Sequence, residues 1–147
     1  PTLNELGYTH VEAADEHTRF STDGSHARFI DIVEAPDLPQ ARQGFGSVHH
    51  IAFRASTDAA ELEMRTHIAG IGLHPTPVID RQYFHSVYFM TPGGILFEIA
   101  TDQPGFAVDE DITELGEKLV LPPQFEPHRA EIQMNLVPIV VPRHRKK

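Results

Sequence analysis

The sequence predicts an α+β fold, with two βαβββ units side by side in a curved mixed sheet and the first unit incomplete at its start. Three observations predict it. Residues 46–102 alternate strand-like and helical patterns in the order β-α-β-β-β. Residues 1–35 repeat the later part of that order, an internal repeat that a single motif could not mimic. A connector bearing proline and glycine, "EAPDLPQARQGFG", joins the two copies.

In the second unit, "SVHHIAFRA" is rich in Val, Ile and Phe and reads as the first strand. "TDAAELEMRTHIAGIG" follows as a helix, with Asp58 as the expected N-cap and Glu61 three residues on, at capping-box spacing. Ala60, Met64, Ile68 and Ile71 give it an apolar stripe, and the glycine of "GIGL" stops it. "HPTPVID", "QYFHSVYFM" and "GILFEIAT" are three further strands, the last two joined by a tight "TPGG" turn. In the first unit "LGY" matches "IGL", "TDG" matches "TPGG" and "FIDIV" matches "LFEIA", which sets Asp31 where Glu98 stands. Residues 1–102 are thus expected to form one domain, with 1–35 the truncated unit and 46–102 the complete one. Residues 103–147 form a polar extension with helical patches expected at 111–118 and 127–136, wrapping the sheet or covering its open mouth.

With 147 residues, 40% hydrophobic and 22% charged, the chain fits one ordinary soluble domain. Acidic residues outnumber basic ones 21 to 12, a net charge of −9 that argues against a nucleic-acid partner. The basic ending "RHRKK" reads as a solvated tail. No cysteine is present, so disulfides and thiolate metal sites are excluded, and a transition metal would need imidazole and carboxylate ligands. No apolar run reaches membrane-span length and no signal-peptide pattern opens the chain, so neither a membrane partner nor export is expected and the cytoplasm is the expected location. Of the ten histidines, His10, His17, His26, His128 and His144 read as solvated.

Only histidines inside strand patterns merit more, and strand parity separates two of them. His50 shares a face with Val48 and Ala52, while His49 faces the other way with Ile51 and Phe53. Leu96, Glu98 and Ala100 share one face of the last strand, and a carboxylate buried there must be paired or bind metal. His50 and Glu98 would be two parts of a 2-His-1-carboxylate triad, which leaves open positions on Fe(II). Spacing alone leaves a hydrogen-bonded strand histidine and a salt-bridged glutamate as the commoner outcome, and Asp31 as an ordinary exposed acid.

The combination of "HHIAF", "DRQYFHSVYF" and "GGILFEIATD", in that order, with "GEKLVLPPQFEPHRAEI" near the end, resembles the hydroquinone-type ring-cleaving (extradiol) dioxygenases of the vicinal-oxygen-chelate (glyoxalase) superfamily. The resemblance implies the glyoxalase/extradiol dioxygenase fold and a non-haem dioxygenase using Fe(II), with Mn(II) as the alternative, an aromatic diol or hydroquinone as substrate, and O2. Residue by residue it implies that His50 and Glu98 bind metal, and that His49, Arg81 and Tyr88 touch those ligands or the substrate. Arg81 or Tyr88 would steady a substrate oxyanion. His85 is a candidate proton relay that reads equally well as a packed strand histidine, and Tyr83 is expected in the core or pocket wall. Members of the family have four βαβββ units, so the resemblance implies a C-terminal portion, with the remaining histidine ligand upstream and pairing with an N-terminal half or self-association. Two ligands alone would hold a metal weakly. The rival readings are a glyoxalase-like metal-dependent lyase or isomerase, and a metal-free small-molecule binding module of the same fold.

Overall fold

The computed structural model of the chain describes residues 2–23, 28–39 and 44–138. Its first unit runs from helix α1 (Thr2–Glu5) through strands β1 (Thr9–Ala14), β2 (His17–Ser21) and β3 (Phe29–Val33). The second runs β4 (Ile51–Ala55), α2 (Asp58–Gly70), β5 (Ile79–Asp80), β6 (His85–Met90) and β7 (Leu96–Thr101). This is the order the repeat predicts. Hydrogen bonding divides the strands into two sheets, β1-β2-β3 and β4-β7-β6-β5, where the sequence suggested one continuous sheet. The last three strands of each unit are antiparallel, and the parallel β4–β7 ladder makes the second sheet mixed. A parallel pair needs a long crossover, and α2 with the following hairpins supplies it. Among the described residues no strand flanks β3 as β4 flanks β7.

Helix α2 begins one residue earlier than the capping box suggested. Thr57 is the N-cap, with φ −151°, and its hydroxyl accepts the Ala60 N–H at 3.1 Å. Asp58 is therefore the first helical residue, and Glu61 is one position too far along to close a capping box. The other end is a Schellman turn. Gly72 lies at φ +87°, its N–H bonds Ala69 O at 3.1 Å, and Leu73 N–H bonds Ile68 O at 3.2 Å. Of the expected apolar stripe, Ile68 is fully buried and Ala60 and Met64 partly so, while Ile71 lies past the helix end and is exposed.

The core lies between α2 and one face of β4, β7 and β6. Ile68, Ala55, Phe97, Ile99, Val87 and Phe89 form it together with Leu3, Tyr8 and Phe20 of the first unit. The rings of Tyr8, Phe53, Phe97 and Phe89 follow one another at centroid separations of 6.0, 4.8 and 5.8 Å, a run of aromatic contacts tying the two units together. His67 near the end of α2 adds a 2.7 Å contact to Glu5 of α1.

The extension contains short 3-10 turns at Phe106–Val108 and Pro123–His128, then helix α3 (Arg129–Asn135). Residues 111–118 form turns rather than the expected helix. The Asp111 carboxylate captures the N–H and hydroxyl of Thr113 at 2.8 and 2.6 Å, and Gly116 adopts φ +78°. The second patch becomes α-helical only after Pro127. The "RHRKK" ending, His26, His144 and residues 40–43 of the connector lie outside the described residues.

Glu61 is 1% exposed and its Oε1 has no hydrogen-bond partner among the described residues. Burial, above all, raises its carboxyl above the ordinary value of 4.5; nearby His85 acts in the opposite direction. The folded state then binds a proton that the unfolded chain releases, so stability falls as pH rises above that ordinary value. Glu61→Gln, which cannot ionise, is expected to raise the urea midpoint at pH 7, with the gain shrinking toward pH 4. An equal gain at both pH values would show that charge burial is not the cause.

Candidate functional site

Cross-strand register assembles the site. Ala52 of β4 and Tyr88 of β6 are the two direct neighbours of Glu98 on β7, so the three side chains share one row on one sheet face. The opposite face carries Phe97, Ile99, Val87 and Phe89 into the core. His50, just ahead of β4 and two residues before Ala52, reaches the same face as Glu98. The small side chain of Ala52 leaves room above the sheet between them.

Glu98 is 3% exposed, and both of its oxygens have partners. Oε2 lies 2.6 Å from His50 Nε2, and Oε1 accepts a 2.6 Å hydrogen bond from the Tyr88 hydroxyl. The His50 ring meets the Tyr88 ring edge-on at 5.7 Å. His50 Nδ1 lies 2.8 Å from His49 Nδ1, a contact in which one imidazole donates and the other accepts. The Arg81 guanidinium stands 5.3 Å from the centre of the Tyr88 ring, in cation–π geometry. Five of the residues singled out in the sequence, His49, His50, Glu98, Tyr88 and Arg81, therefore form one continuous chain of contacts.

His85 is not part of it. Three positions from Tyr88 on the same strand, it projects from the other face, where its Nδ1 lies 3.0 Å from Asp58 Oδ1 at the start of α2. That hydrogen bond is the main reason its pKa is raised above 6.5. Of the two readings of His85, relay or packed strand histidine, this contact with Asp58 on the α2 side accords with the second. Asp31, the repeat counterpart of Glu98, is exposed and held by Arg19 through two 2.8 Å hydrogen bonds. His10 packs edge-on against Phe20 at 5.8 Å, and His17 and His128 are exposed as expected.

Sequence reasoning missed a latch beside Arg81. Gln82 adopts φ +69°, a strained conformation for a residue with a side chain. Its N–H bonds Asp80 Oδ1 at 2.7 Å, and its side-chain amide donates to Asp109 Oδ2 at 3.0 Å. The Tyr83 hydroxyl donates to the same oxygen at 3.0 Å, and its ring stacks on Phe106 at 5.0 Å. Burial and this bond raise the Tyr83 phenol above 10. Tyr83 thus fastens the turn to the extension. Beyond Arg81 a cleft of about 730 Å³ opens between this turn and the extension, lined by residues 80–82, 108, 109 and 122–125. No local pattern announces Asp109, because its partners lie 26 and 27 residues away in sequence.

Among the described residues no three His, Cys, Asp or Glu side chains converge on one point. His50 Nε2 and Glu98 Oε2 supply an imidazole nitrogen and a carboxylate oxygen aimed at each other. Imidazole nitrogen and carboxylate oxygen are donor types that divalent iron or manganese accepts. Among the described residues no helix is long and apolar enough to cross a membrane.

No family model matches the sequence. The chain is 44% identical over 138 residues to "Putative ring-cleaving dioxygenase MhqO" of Bacillus subtilis, a match covering 94% of this chain and 44% of that protein. It is 33% identical over 125 residues to "Chlorohydroquinone/hydroquinone 1,2-dioxygenase" of Sphingobium indicum, covering 81% of this chain and 38% of that protein. A crystal structure of a "putative dioxygenase" from Bacillus subtilis superposes with a TM-score of 0.85 at 43% identity, covering 96% of this chain and 46% of that one. A glyoxalase/dioxygenase from Nostoc punctiforme shares the fold more distantly, with a TM-score of 0.54 at 20% identity over 67% of this chain and 77% of that one. The chain spans less than half the length of the two named dioxygenases it matches. By sequence this chain is a homologue of proteins named as ring-cleaving dioxygenases, matching less than half of their length, and it shares its fold with a glyoxalase/dioxygenase.

Proposed function

We propose that this chain is part of a metal-dependent dioxygenase that opens the ring of an aromatic diol or hydroquinone with O2. The observation that carries the reading is the Glu98 carboxylate, buried on a sheet face with His50 Nε2 and the Tyr88 hydroxyl each 2.6 Å away. The names of its relatives support the substrate class.

In this reading His50 and Glu98 hold the metal, Fe(II) with Mn(II) as the alternative, and a third protein ligand comes from outside the described residues. When bound, the metal supplies Lewis acidity and one-electron redox chemistry. The chain's own side chains set the geometry. Tyr88 occupies Glu98 Oε1 and fixes the carboxylate's rotation, leaving Oε2 aimed at His50. A neutral His50 that ligates through Nε2 must carry its proton on Nδ1, and His49 Nδ1, 2.8 Å away, accepts it and holds the ring's orientation. Arg81, above the Tyr88 ring, brings positive charge to the edge of the site, where it steadies the substrate oxyanion. The apolar core beneath the sheet keeps water from the buried side of Glu98.

Metal analysis combined with an oxygen electrode tests the reading. With hydroquinone, and with the segment that supplies the third ligand present, O2 uptake and bound iron or manganese are expected, and His50→Ala or Glu98→Gln is expected to lower both by more than the roughly 10–100-fold that loss of an outer partner costs. Metal content unchanged in both variants would overturn the assignment, and diol conversion without O2 uptake would favour lyase or isomerase chemistry. Tyr88→Phe is expected to weaken metal binding by about 10–100-fold. In the metal-free protein it should lower stability by roughly 1–3 kcal/mol in urea titrations, because a buried carboxylate oxygen loses its donor.

A further inference from the structure

We propose that Asp109 is a positioning residue for Arg81, so that the extension sets where positive charge stands at the edge of the Glu98 site. The inference rests on the role given to Arg81 in the reading above and names what holds Arg81 in place. An unbroken path of contacts joins the two. Asp109 Oδ2 accepts hydrogen bonds from Gln82 and Tyr83, the two residues that follow Arg81, at 3.0 Å each. The Arg81 guanidinium stands 5.3 Å from the centre of the Tyr88 ring, and the Tyr88 hydroxyl donates to Glu98 at 2.6 Å.

The hairpin that carries Arg81 is too short to fix it unaided. Strand β5 has two residues, and its ladder with β6 consists of Ile79–Ser86 and Asp80–His85. The Arg81 N–H closes the loop on Phe84 O at 2.9 Å, which leaves Gln82 and Tyr83 as the tip of a two-residue turn. The first tip position of such a turn takes a positive φ and is ordinarily Gly, Asn or Asp. Gln82 fills it at φ +69°, a conformation that persists only where the surroundings over-determine it. They do so here. Asp80 Oδ1 takes the Gln82 N–H at 2.7 Å, Asp109 takes the Gln82 amide and the Tyr83 hydroxyl, and the Gly105 N–H donates to Tyr83 O at 2.8 Å. Two of these anchors, Asp109 and Gly105, come from the segment after β7.

The choice of partners also leaves the charge of Arg81 in use. Asp109 binds two neutral donors, and among the described residues the Arg81 guanidinium forms no ion pair or hydrogen bond. A carboxylate paired directly with Arg81 would cancel its charge. One that binds the next two residues fixes the backbone beneath Arg81 and leaves the guanidinium to the Tyr88 ring and to a substrate oxyanion.

NMR of the protein labelled with 15N-arginine tests the positioning without turnover. The Arg81 Nε–Hε signal is assigned by its loss in Arg81→Lys, and Tyr88→Leu gives its position without the ring. Asp109→Ala is expected to move the signal toward that position, whereas Asp109→Asn, whose amide oxygen can accept both bonds, is expected to leave it in place. Tyr83→Phe removes one of the two bonds, keeps the stack on Phe106 and is expected to shift the signal the same way, so the test stands even where Asp109→Ala does not fold. In O2 uptake with hydroquinone, with the third-ligand segment present, Asp109→Ala is expected to lower kcat/KM by about 10–100-fold at unchanged metal content. In an Arg81→Ala background the same substitution is expected to change it by less than about twofold. A signal unmoved in both Asp109→Ala and Tyr83→Phe, an Asn variant that behaves as Ala, or an equal loss with Arg81 absent would each overturn the proposal. A protein that takes up no O2 refutes the dioxygenase reading, and the Arg81 signal then decides the role of Asp109 by itself. One that takes up O2 while the signal stays in place refutes the role of Asp109 alone.

Discussion

A carboxylate at 3% exposure in an apolar sheet is the constraint around which the second unit is organised. Burying such a group without partners costs far more than a domain of this size could offset. Glu98 therefore requires the Tyr88 hydroxyl on one oxygen and the His50 imidazole on the other, and it requires a small neighbour at position 52 so that the imidazole can reach it. The register is held from the reverse side of the sheet, where Phe97, Ile99, Val87 and Phe89 are buried against α2. A one-residue slip of β7 would turn Glu98 into that core and bring two of those apolar side chains out. The core thus specifies the site by fixing which residues cannot face it.

The parts legible in the sequence are those governed by short periodicities. Strand alternation separated Glu98 from Phe97 and Ile99, and the βαβββ order followed from short alternating runs and one helical run with a glycine stop. The parts that were not legible depend on choices the local pattern leaves open. Thr57 and Asp58 are both good cap residues, and only the extended backbone at Thr57 decides between them. Residues 111–118 carry a helical pattern, yet the Asp111 side chain takes the amide of Thr113 and Gly116 turns the chain away. His85 and Tyr88 share a strand but project from opposite faces, and the contact of His85 with Asp58 is one that no local pattern announces. The split into two sheets, and the Asp109 latch, depend on tertiary packing between segments far apart in sequence.

The internal repeat places two carboxylates at matching positions in different surroundings, and the proposed reading makes only one of them a metal ligand. Asp31 and Glu98 occupy matching places, and each faces a cross-strand partner one strand away: Arg19 for Asp31, Tyr88 for Glu98. Arg19 grips Asp31 with two 2.8 Å hydrogen bonds, which lowers the aspartate's pKa and matches its charge with a guanidinium. Nothing is left there for a cation to bind. Tyr88 makes the same kind of cross-strand contact with a neutral donor, so it orients the carboxylate without neutralising it. Arg81 stands 5.3 Å from the centre of the Tyr88 ring, so its charge meets the phenol's ring. A guanidinium at one cross-strand position and a phenol at the other, together with the deeper burial of Glu98, separate a surface ion pair from the carboxylate that the proposed reading gives to a metal.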